Sequence, residues 1–457
     1  MLLHEGKMDK RLFFIRLIAV AGMCLTAVSA RADRISELED QVKMLRDSLA
    51  RIQDELQLER KNRVPTDSSS NMPKLVNQAA STPPTEISGG QKSSSAAPTS
   101  AKPLPTGYIQ VPGTSSAVKF GGTIRVEVAD DIISNQGGRT DDATAIPASG
   151  TAKANRDGAL NGSISGSRFN FATLSNSDIG DISSLFEFDL GTEFSSSFRL
   201  RHAYFSTGNW LAGQTWSTFM DMDTLPDLLA AGGSAGHSWL RRPQLRYGFK
   251  IGQEGRIDLA TEMPSSDYTA VNAINTAPDL VARYTADPSW GHYSLGGMLR
   301  YFRSDNGLGA NTDEVVWGLI GGIGIKLFGD DLLTFQTVNG TGVGNVLNQG
   351  TGKSAILVGN SFQTFDTYGG TVAYKHVWMP NLRSTVAVGY SHFANAARNT
   401  GSNGLGISSL SSAHANIIYS PIQRMDVGLE YGYEAFTANP IGSGDASRIL
   451  GVVKYGY

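Results

Sequence analysis

From Tyr108 to the end of the chain, large apolar residues occupy alternate positions in successive short stretches. Between residues 425 and 434, methionine, valine, leucine and tyrosine share one parity, and aspartate and glutamate lie on the other. Phe186 and Phe188 alternate with Glu187 and Asp189 in the same way. Successive side chains of a β-strand point to opposite faces of the sheet. The pattern therefore predicts strands with one apolar face and one polar face.

The aromatic residues help to decide where such a sheet lies. A half-buried sheet in a soluble protein shows the same alternation. Here, however, aromatic residues oppose charged residues near the strand ends, and Tyr457 ends an alternating final strand. Interfacial aromatic girdles are typical of outer-membrane barrels. We therefore expect a transmembrane β-barrel over residues 107–457.

The spacing of turns and loops supports this expectation. Short turns are predicted near residues 207–208, 252–253, 329–330, 380–381 and 421–422. They alternate with longer gaps rich in glycine, serine and asparagine, at about residues 130–163, 220–238, 264–277, 340–362, 394–409 and 437–445. Tight periplasmic turns and long external loops alternate in this way in outer-membrane barrels. The predicted fold is all-β, a sixteen-stranded antiparallel transmembrane barrel. A soluble β-sandwich or propeller, the alternative, does not explain this alternation.

The N-terminus has the pattern of a secretory signal peptide over residues 1–30. Basic residues between Lys7 and Arg16 precede an apolar run from Leu17 to Val28, and small residues follow. The run is shorter than the roughly twenty residues that a spanning helix needs. Cleavage after Ala30 and cleavage after Ala32 both fit the pattern. No other long apolar run follows in the chain.

Residues 33–63 are predicted to form an α-helical coiled coil, placed in the periplasm. Apolar residues recur at alternating steps of three and four, so both seam positions of a heptad are filled. These residues are Ile35, Leu38, Val42, Leu45, Leu49, Ile52 and Leu56. An amphipathic helix packed on a globular core is the alternative. The seam predicts self-association but leaves the number of helices open. Residues 64–106, rich in serine and proline, are predicted to be a disordered linker.

If the apolar parity faces lipid, the other parity lines the channel, and its N-terminal half is strongly basic. Guanidinium groups two residues apart on a strand can bind carboxylates, and arginine ladders select anions in pores. The predicted solute pathway consists of Arg125, Arg168, Arg199, Arg201, Arg242, Arg246, Lys250, Arg256, Arg283 and Arg300. Alternatively, these residues pair with lumen acids and brace the wall. The net charge of −3 argues against nucleic acid as a partner.

The connection at residues 220–238 is the candidate constriction loop. It follows the fifth predicted strand and carries Asp221, Asp223 and Asp227. If it folds into the lumen, its acids oppose the arginines and create a transverse field. The alternative is an ordinary external loop.

Catalytic and metal-binding signals are weak. His202 and His376 lie on the predicted lipid-facing parity near short turns, which favours a girdle or subunit-contact role. The glycine-rich run at residues 339–344 lacks the lysine and hydroxyl residue of a phosphate-binding loop. The sequence therefore predicts neither an enzyme, nor a cofactor, nor a metal site.

Three stretches resemble the DcaP-like outer-membrane porins: residues 199–221, residues 239–247, and residues 111–114 with 118–122. The resemblance is close up to about residue 300 and looser beyond it. It implies a sixteen-stranded homotrimeric channel in the outer membrane, in contact with its lipid, for small anionic solutes and dicarboxylates in particular. It also implies anion contacts at Arg199, Arg201, Arg242 and Arg246.

A structural envelope protein is the main rival interpretation. In that case the barrel would be plugged and the coiled coil would bind a periplasmic partner. A wide, water-filled lumen would distinguish the channel from this rival.

We expect polar substitution of Leu45 and Leu49 to weaken self-association of the isolated 33–63 peptide, because it removes two adjacent layers of the seam. Sedimentation equilibrium measures this effect. Changing Lys43 and Asp47, which lie off the seam, to serine is the control. A parent peptide that stays monomeric and unstructured at high concentration contradicts the self-association.

Overall fold

The structure is a computed structural model that describes residues 104–134, 145–156, 159–191, 198–265, 267–270, 272–308, 311–349, 353–394, 406–438 and 442–457. The predicted signal peptide, the coiled coil and almost all of the linker lie outside these residues and stay predictions. Among the described residues, no helix has the length and apolarity needed to cross a membrane.

Within the described ranges, twenty-one strands form from the alternating stretches. They are β1 (Ile109–Gln110), β2 (Ser116–Ile133), β3 (Ala159–Ser163), β4 (Arg168–Ser177), β5 (Gly180–Asp189), β6 (Arg199–Thr207), β7 (Trp210–Trp216), β8 (Arg241–Ile251), β9 (Gly255–Glu262), β10 (Tyr268–Thr269), β11 (Asp279–Ala286), β12 (Gly291–Asp305), β13 (Asn311–Lys326), β14 (Leu332–Thr341), β15 (Ala355–Val358), β16 (Ser361–Thr364), β17 (Asp366–Met379), β18 (Leu382–Phe393), β19 (Ile407–Tyr419), β20 (Met425–Ala438) and β21 (Gly442–Gly456).

The main sheet closes on itself. Each long strand pairs antiparallel with the next along the chain, and β21 pairs with β2 from Thr123↔Gly456 to Ile133↔Ser447. Strands β3 and β4 pair with different parts of β2 and together count as one strand of the barrel. Strand β1 is a two-residue strand that pairs with β2. The predicted sixteen-stranded antiparallel barrel is confirmed. Strands β10, β15 and β16 form a separate small sheet.

The two faces of the wall follow the alternation in the sequence. Leu319, Val388 and Leu429 are about half exposed on the outer face. Gln336 and Glu430, on inward-facing positions of other strands, are buried and hydrogen-bonded. A protein in water would show the opposite distribution. This wall places apolar side chains where lipid surrounds it and polar side chains in the lumen.

Several predicted connections are shorter than expected, and two were missed. Strand β2 continues to Ile133, because Asp131 faces inward and pairs with Arg448 at 2.6 Å (Nη2–Oδ1) instead of belonging to a loop. Strand β21 already begins at Gly442. The connections from β5 to β6 and from β12 to β13 were not predicted as long gaps. Acidic or glycine-rich strand ends resemble loops in the sequence, which explains these differences.

The prediction that His202 faces lipid is wrong. Glu187 pairs with His202, but the next residue, Phe188, pairs with Leu200, so Arg201 is an extra residue in a β-bulge. A bulge shifts the parity of the following residues by one. His202 therefore turns inward, is buried, and bonds Thr215 Oγ1 at 3.0 Å through Nδ1.

His376 lies on the outward parity, as the sequence predicts. Its ring meets Trp378 edge-on at 4.2 Å between centroids, and its Nδ1 lies 2.8 Å from Asp331 Oδ2 in the preceding turn. Hydrogen bonds from Tyr374, from the Val377 amide and from His376 lower the pKa of Asp331 to about 2. The ionised Asp331 thus anchors a girdle segment of β17 to the turn that precedes β14.

We expect Val388→Arg to lower the free energy of unfolding by roughly 2–4 kcal/mol, the usual cost of a cation on the lipid face near the bilayer centre. Denaturant unfolding in lipid vesicles measures the change. Val388→Leu is the matched control and should stay close to the parent protein. Equal stability of the two variants would show that this face does not contact lipid.

Candidate functional site

The connection from β7 to β8, residues 217–240, folds into the barrel. The Asp221 carboxylate accepts a hydrogen bond from Ser294 Oγ at 2.6 Å and lies 3.1 Å from His292 Nε2. Gln336 Nε2 donates to the Asp221 carbonyl oxygen at 2.9 Å. These partners belong to β12 and β14, which are not neighbours of β7 or β8 in the wall.

Further along, the same connection contacts β19 and β20. The Glu430 carboxylate accepts hydrogen bonds from the amides of Leu229 at 2.5 Å and Ala230 at 3.1 Å. Asn416 Nδ2 donates to the Asp227 carbonyl oxygen at 2.9 Å. A segment that leaves the wall at β7 and bonds β20 must cross the lumen.

Glycines let the backbone of this segment lie directly against the wall. Gly236 has φ +87°, and a Cβ there would lie 2.2 Å from the carbonyl oxygen of Gly370 and 2.4 Å from that of Tyr390. A Cβ at Gly389 would lie 2.0 Å from the carbonyl oxygen of Ala235. Only glycine tolerates both the conformation and the contact at residue 236.

The three loop acids that the sequence singled out have different surroundings. Burial raises the pKa of Asp221, but the hydrogen bonds from His292 and Ser294 outweigh it and lower the pKa below its ordinary value. Asp227 pairs with Arg383, with Nε and Oδ2 2.7 Å apart. Asp223 keeps 71% of its side chain exposed. Two of these acids therefore hold the segment to the wall, and Asp223 presents a carboxylate to solvent.

Burial also sets the charge of the loop histidine. His237 is enclosed, and this burial lowers its pKa to about 3. The ring is therefore neutral near pH 7 and adds no charge to the crossing segment.

Asp221, Asp223 and His292 lie within 4.8 Å of one another and could share a metal ion by distance alone. Both ring nitrogens of His292 are already engaged, because Nε2 faces Asp221 and Nδ1 lies 2.7 Å from Asp287. In this arrangement the imidazole links the crossing segment to the wall.

Arg199 and Arg201 both bind Asp189. Arg199 donates through Nε at 2.9 Å and Nη2 at 2.6 Å, and Arg201 donates through Nη1 at 2.5 Å. The bulge brings the two guanidinium groups to one carboxylate. Arg201 is almost enclosed, whereas Arg199 keeps 53% of its side chain exposed. One carboxylate is thus shared by two cations, and Arg199 remains accessible.

Arg242 and Arg246 of β8 point inward, and among the described residues no carboxylate bonds directly to either of them. Arg246 donates through Nε to Gln244 at 2.9 Å and through Nη2 to the Trp216 carbonyl oxygen at 2.7 Å. Nε of Arg242 and Nε of Arg283 have no hydrogen-bond partner among the described residues. Arg201 Nε also lacks such a partner, but Arg201 Nη1 bonds Asp189. In the described part of the chain neither Arg242 nor Arg283 forms an ion pair, so their positive charge is less compensated by direct contacts than that of Arg201.

Other predicted pathway residues brace the wall. Arg300 is enclosed and pairs with Asp267 at 2.5 Å and Asp279 at 3.2 Å. Arg125 binds Glu127 at 2.6 Å and donates to the Leu229 carbonyl oxygen at 2.6 Å. A solute in the lumen does not reach an enclosed guanidinium group, so Arg300 is left out of the pathway proposed below.

The remaining basic residues of the prediction lie at more open positions. Arg168 and Arg256 are more than two-fifths exposed and face Glu187 at 3.4 Å and Asp258 at 2.9 Å, respectively. Lys250 is exposed on the inward parity of β8.

Sequence reasoning missed Arg241. Its guanidinium group stacks 3.6 Å from the Trp216 ring, which in turn packs 4.6 Å from Trp239. Arg241 Nε and Nη2 have no hydrogen-bond partner among the described residues. By period two, Arg242 has the inward parity and Arg241 does not, so the alternation alone does not single out Arg241. The signal in the sequence was the pair Trp216 and Trp239 close to Arg241 and Arg242, since tryptophan rings are common stacking partners of a guanidinium group.

Comparisons with known proteins agree with this architecture. A family described as DcaP outer membrane protein matches residues 101–457. The chain is similar to the outer membrane channel DcaP of Acinetobacter baumannii, with 23% identity, 75% of this chain and 98% of that chain covered, and a TM-score of 0.65.

More distant similarity is found to OmpF of Salmonella typhi, with 9% identity, 76% and 100% of the two chains covered, and a TM-score of 0.51. OmpT of Vibrio cholerae gives 14% identity, 76% and 99% coverage, and a TM-score of 0.50. No curated protein sequence matches the chain.

We expect Gly236→Ala to displace the crossing segment, because the added Cβ meets two carbonyl oxygens of the wall. Gly150→Ala is the matched control: its φ is +83°, so the strain of about 1–2 kcal/mol is similar, but nothing lies within 4 Å. Single-channel conductance should change in the first variant only. Equal conductance of both variants contradicts a tight contact at residue 236.

Proposed function

We propose that this chain, which belongs to the DcaP outer membrane protein family, lets small anions, and dicarboxylates in particular, diffuse across the outer membrane. It is an outer-membrane channel of the porin type and not an enzyme. The observation that carries the anion preference is the set of inward guanidinium groups to which no carboxylate of the described residues bonds directly, above all Arg242 and Arg246.

The pathway that we propose follows the inward basic residues that keep an exposed side chain or have no carboxylate bonded to them among the described residues. The first group consists of Arg168, Arg199, Lys250 and Arg256, and the second of Arg242, Arg246 and Arg283. The segment 217–240 crosses the lumen and serves as the constriction. A charge-assisted bond between arginine and a carboxylate is worth about 1.5–3 kcal/mol. Such a bond concentrates an anion without trapping it, as conduction requires.

Assembly is also part of the proposal. We take the functional particle to be a homotrimer embedded in outer-membrane lipid, with the predicted 33–63 coiled coil in the periplasm. The heptad seam supports self-association independently of the barrel.

We expect the double variant Arg199→Gln and Arg242→Gln to shift the reversal potential toward cation preference in a salt gradient and to slow dicarboxylate uptake. The loss of one charge-assisted bond of this strength lowers the affinity for the anion by about ten- to a hundredfold. Planar-bilayer recordings and vesicle uptake measure the two effects.

Arg156→Gln with Arg424→Gln is the charge-matched control, because both residues are exposed outside the barrel strands. Unchanged ion preference in a folded lumen variant would show that these arginines only brace the wall. Absence of conductance in the parent protein would favour the envelope protein with a plugged barrel.

A further inference from the structure

The inner face of the barrel is covered unequally by the crossing segment. Inward side chains of β13, β14 and β19 share buried apolar clusters with this segment and are at most 1% exposed, as at Ile320, Val338 and Ile418. Toward the short turns of β4 to β7, in contrast, the inward side chains stay partly exposed. The open part of the lumen therefore lies along β4 to β7, and a solute that passes the crossing segment meets this part of the wall.

Large apolar side chains face the open lumen. Leu185 has the same parity as Asp189, which binds arginines inside the barrel. Tyr204 lies directly opposite Leu185 and therefore points to the same face. Leu211 lies directly opposite Arg246, whose guanidinium group is inward. Each of the three apolar side chains keeps part of its surface exposed.

These side chains form a continuous surface, which we call the apolar strip. It consists of one residue on each of four neighbouring strands, Leu174, Leu185, Tyr204 and Leu211. Leu174 and Leu185 are diagonal neighbours across β4 and β5, and so are Tyr204 and Leu211 across β6 and β7. Diagonal neighbours lie about 7–8 Å apart, within reach of long side chains. The lumen of such barrels is polar as a rule, so a partly exposed apolar strip in it favours contact with something other than water.

A positive charge lies at one end of the apolar strip. Arg246 is the cross-strand partner of Leu211, and its guanidinium group donates to Gln244 and to the Trp216 carbonyl oxygen. Neither of these acceptors carries a charge. Lys250 is exposed on the same parity of β8. The strip therefore joins an apolar surface to a cation that can attract a carboxylate.

We propose that the apolar strip binds the hydrocarbon part of an organic anion whose carboxylate contacts Arg246. The solutes that fit are aliphatic monocarboxylates, a class beyond the dicarboxylates proposed above. Neighbouring strands lie about 4.8 Å apart, so a chain that extends from Arg246 covers Leu211 and reaches Tyr204 after about 10 Å. The proposal rests on the anion pathway of the proposed function and adds to it a preference for an apolar body.

Block of the chloride current by a series of monocarboxylates tests the proposal. Acetate, butanoate, hexanoate and octanoate share one carboxylate and differ only in the number of methylene groups. Full burial of a methylene group raises affinity about fourfold. A chain that lies on one wall loses about half of its contact with water, so we expect the blocking affinity to rise about twofold for each methylene group.

Two double variants of the full chain locate the binding surface. Leu185→Asn with Leu211→Asn should remove most of the dependence on chain length, because the strip becomes polar at similar side-chain size. Leu185→Met with Leu211→Met is the matched control and should keep the dependence, because it preserves apolar side chains of similar volume. Both sites are partly exposed to the lumen, and heat-modifiable migration in gel electrophoresis verifies that each barrel is folded.

Reversal potentials in a salt gradient, recorded in the same bilayers, separate this proposal from the proposed function. Equal affinities across the series in an anion-preferring channel overturn the strip and leave the proposed function standing. A rise with chain length that is equal in the Asn and Met variants also overturns the strip, because the chains then bind elsewhere. Absence of anion preference in the parent channel overturns the proposed function, and with it the carboxylate contact proposed for Arg246.

Discussion

Every backbone amide and carbonyl in the hydrocarbon layer needs a partner within the protein, and the rest of this structure depends on that constraint. The pairing of β21 with β2 meets it by removing both edges of the sheet. Once the sheet is closed, each strand has a lipid side and a lumen side, so period-two alternation follows. Polar residues then have only one direction to face, and charge collects inside the barrel.

Concentrated charge in the lumen creates a second constraint, because buried polar groups need partners. The connection 217–240 supplies many of them with its own backbone. Glu430 receives two amides of this segment, and Gln336 binds one of its carbonyl groups. The glycines at residues 236, 369 and 389 remove side-chain bulk where backbone meets backbone. The crossing segment therefore fills the barrel with backbone hydrogen bonds and with buried apolar side chains such as Phe219 and Leu229, and its position is fixed by the wall.

The sequence was sufficient for the barrel, the strand number and the existence of a long connection after β7. Alternation and turn spacing are local properties, so they can be recognised without a structure. The inward turn of His202 could not be predicted, because one extra residue at Arg201 reverses the parity. The sequence predicts a loop at Asp131 for a related reason, since its partner Arg448 is more than three hundred residues away in the chain.

The arginines show where parity stops being informative. Strand parity places Arg199, Arg242 and Arg300 on the same side of the wall, yet their environments differ. Arg300 is enclosed by two aspartates, and Arg199 shares one aspartate with a neighbour and keeps half its side chain exposed. Arg242 Nε has no hydrogen-bond partner in the part of the chain that the structure describes. A guanidinium group contributes to selectivity only where its charge is both accessible and incompletely compensated. Ion pairs with residues on other strands decide how accessible and how compensated each guanidinium group is. One inward arginine therefore braces the wall, whereas another belongs to the proposed solute pathway.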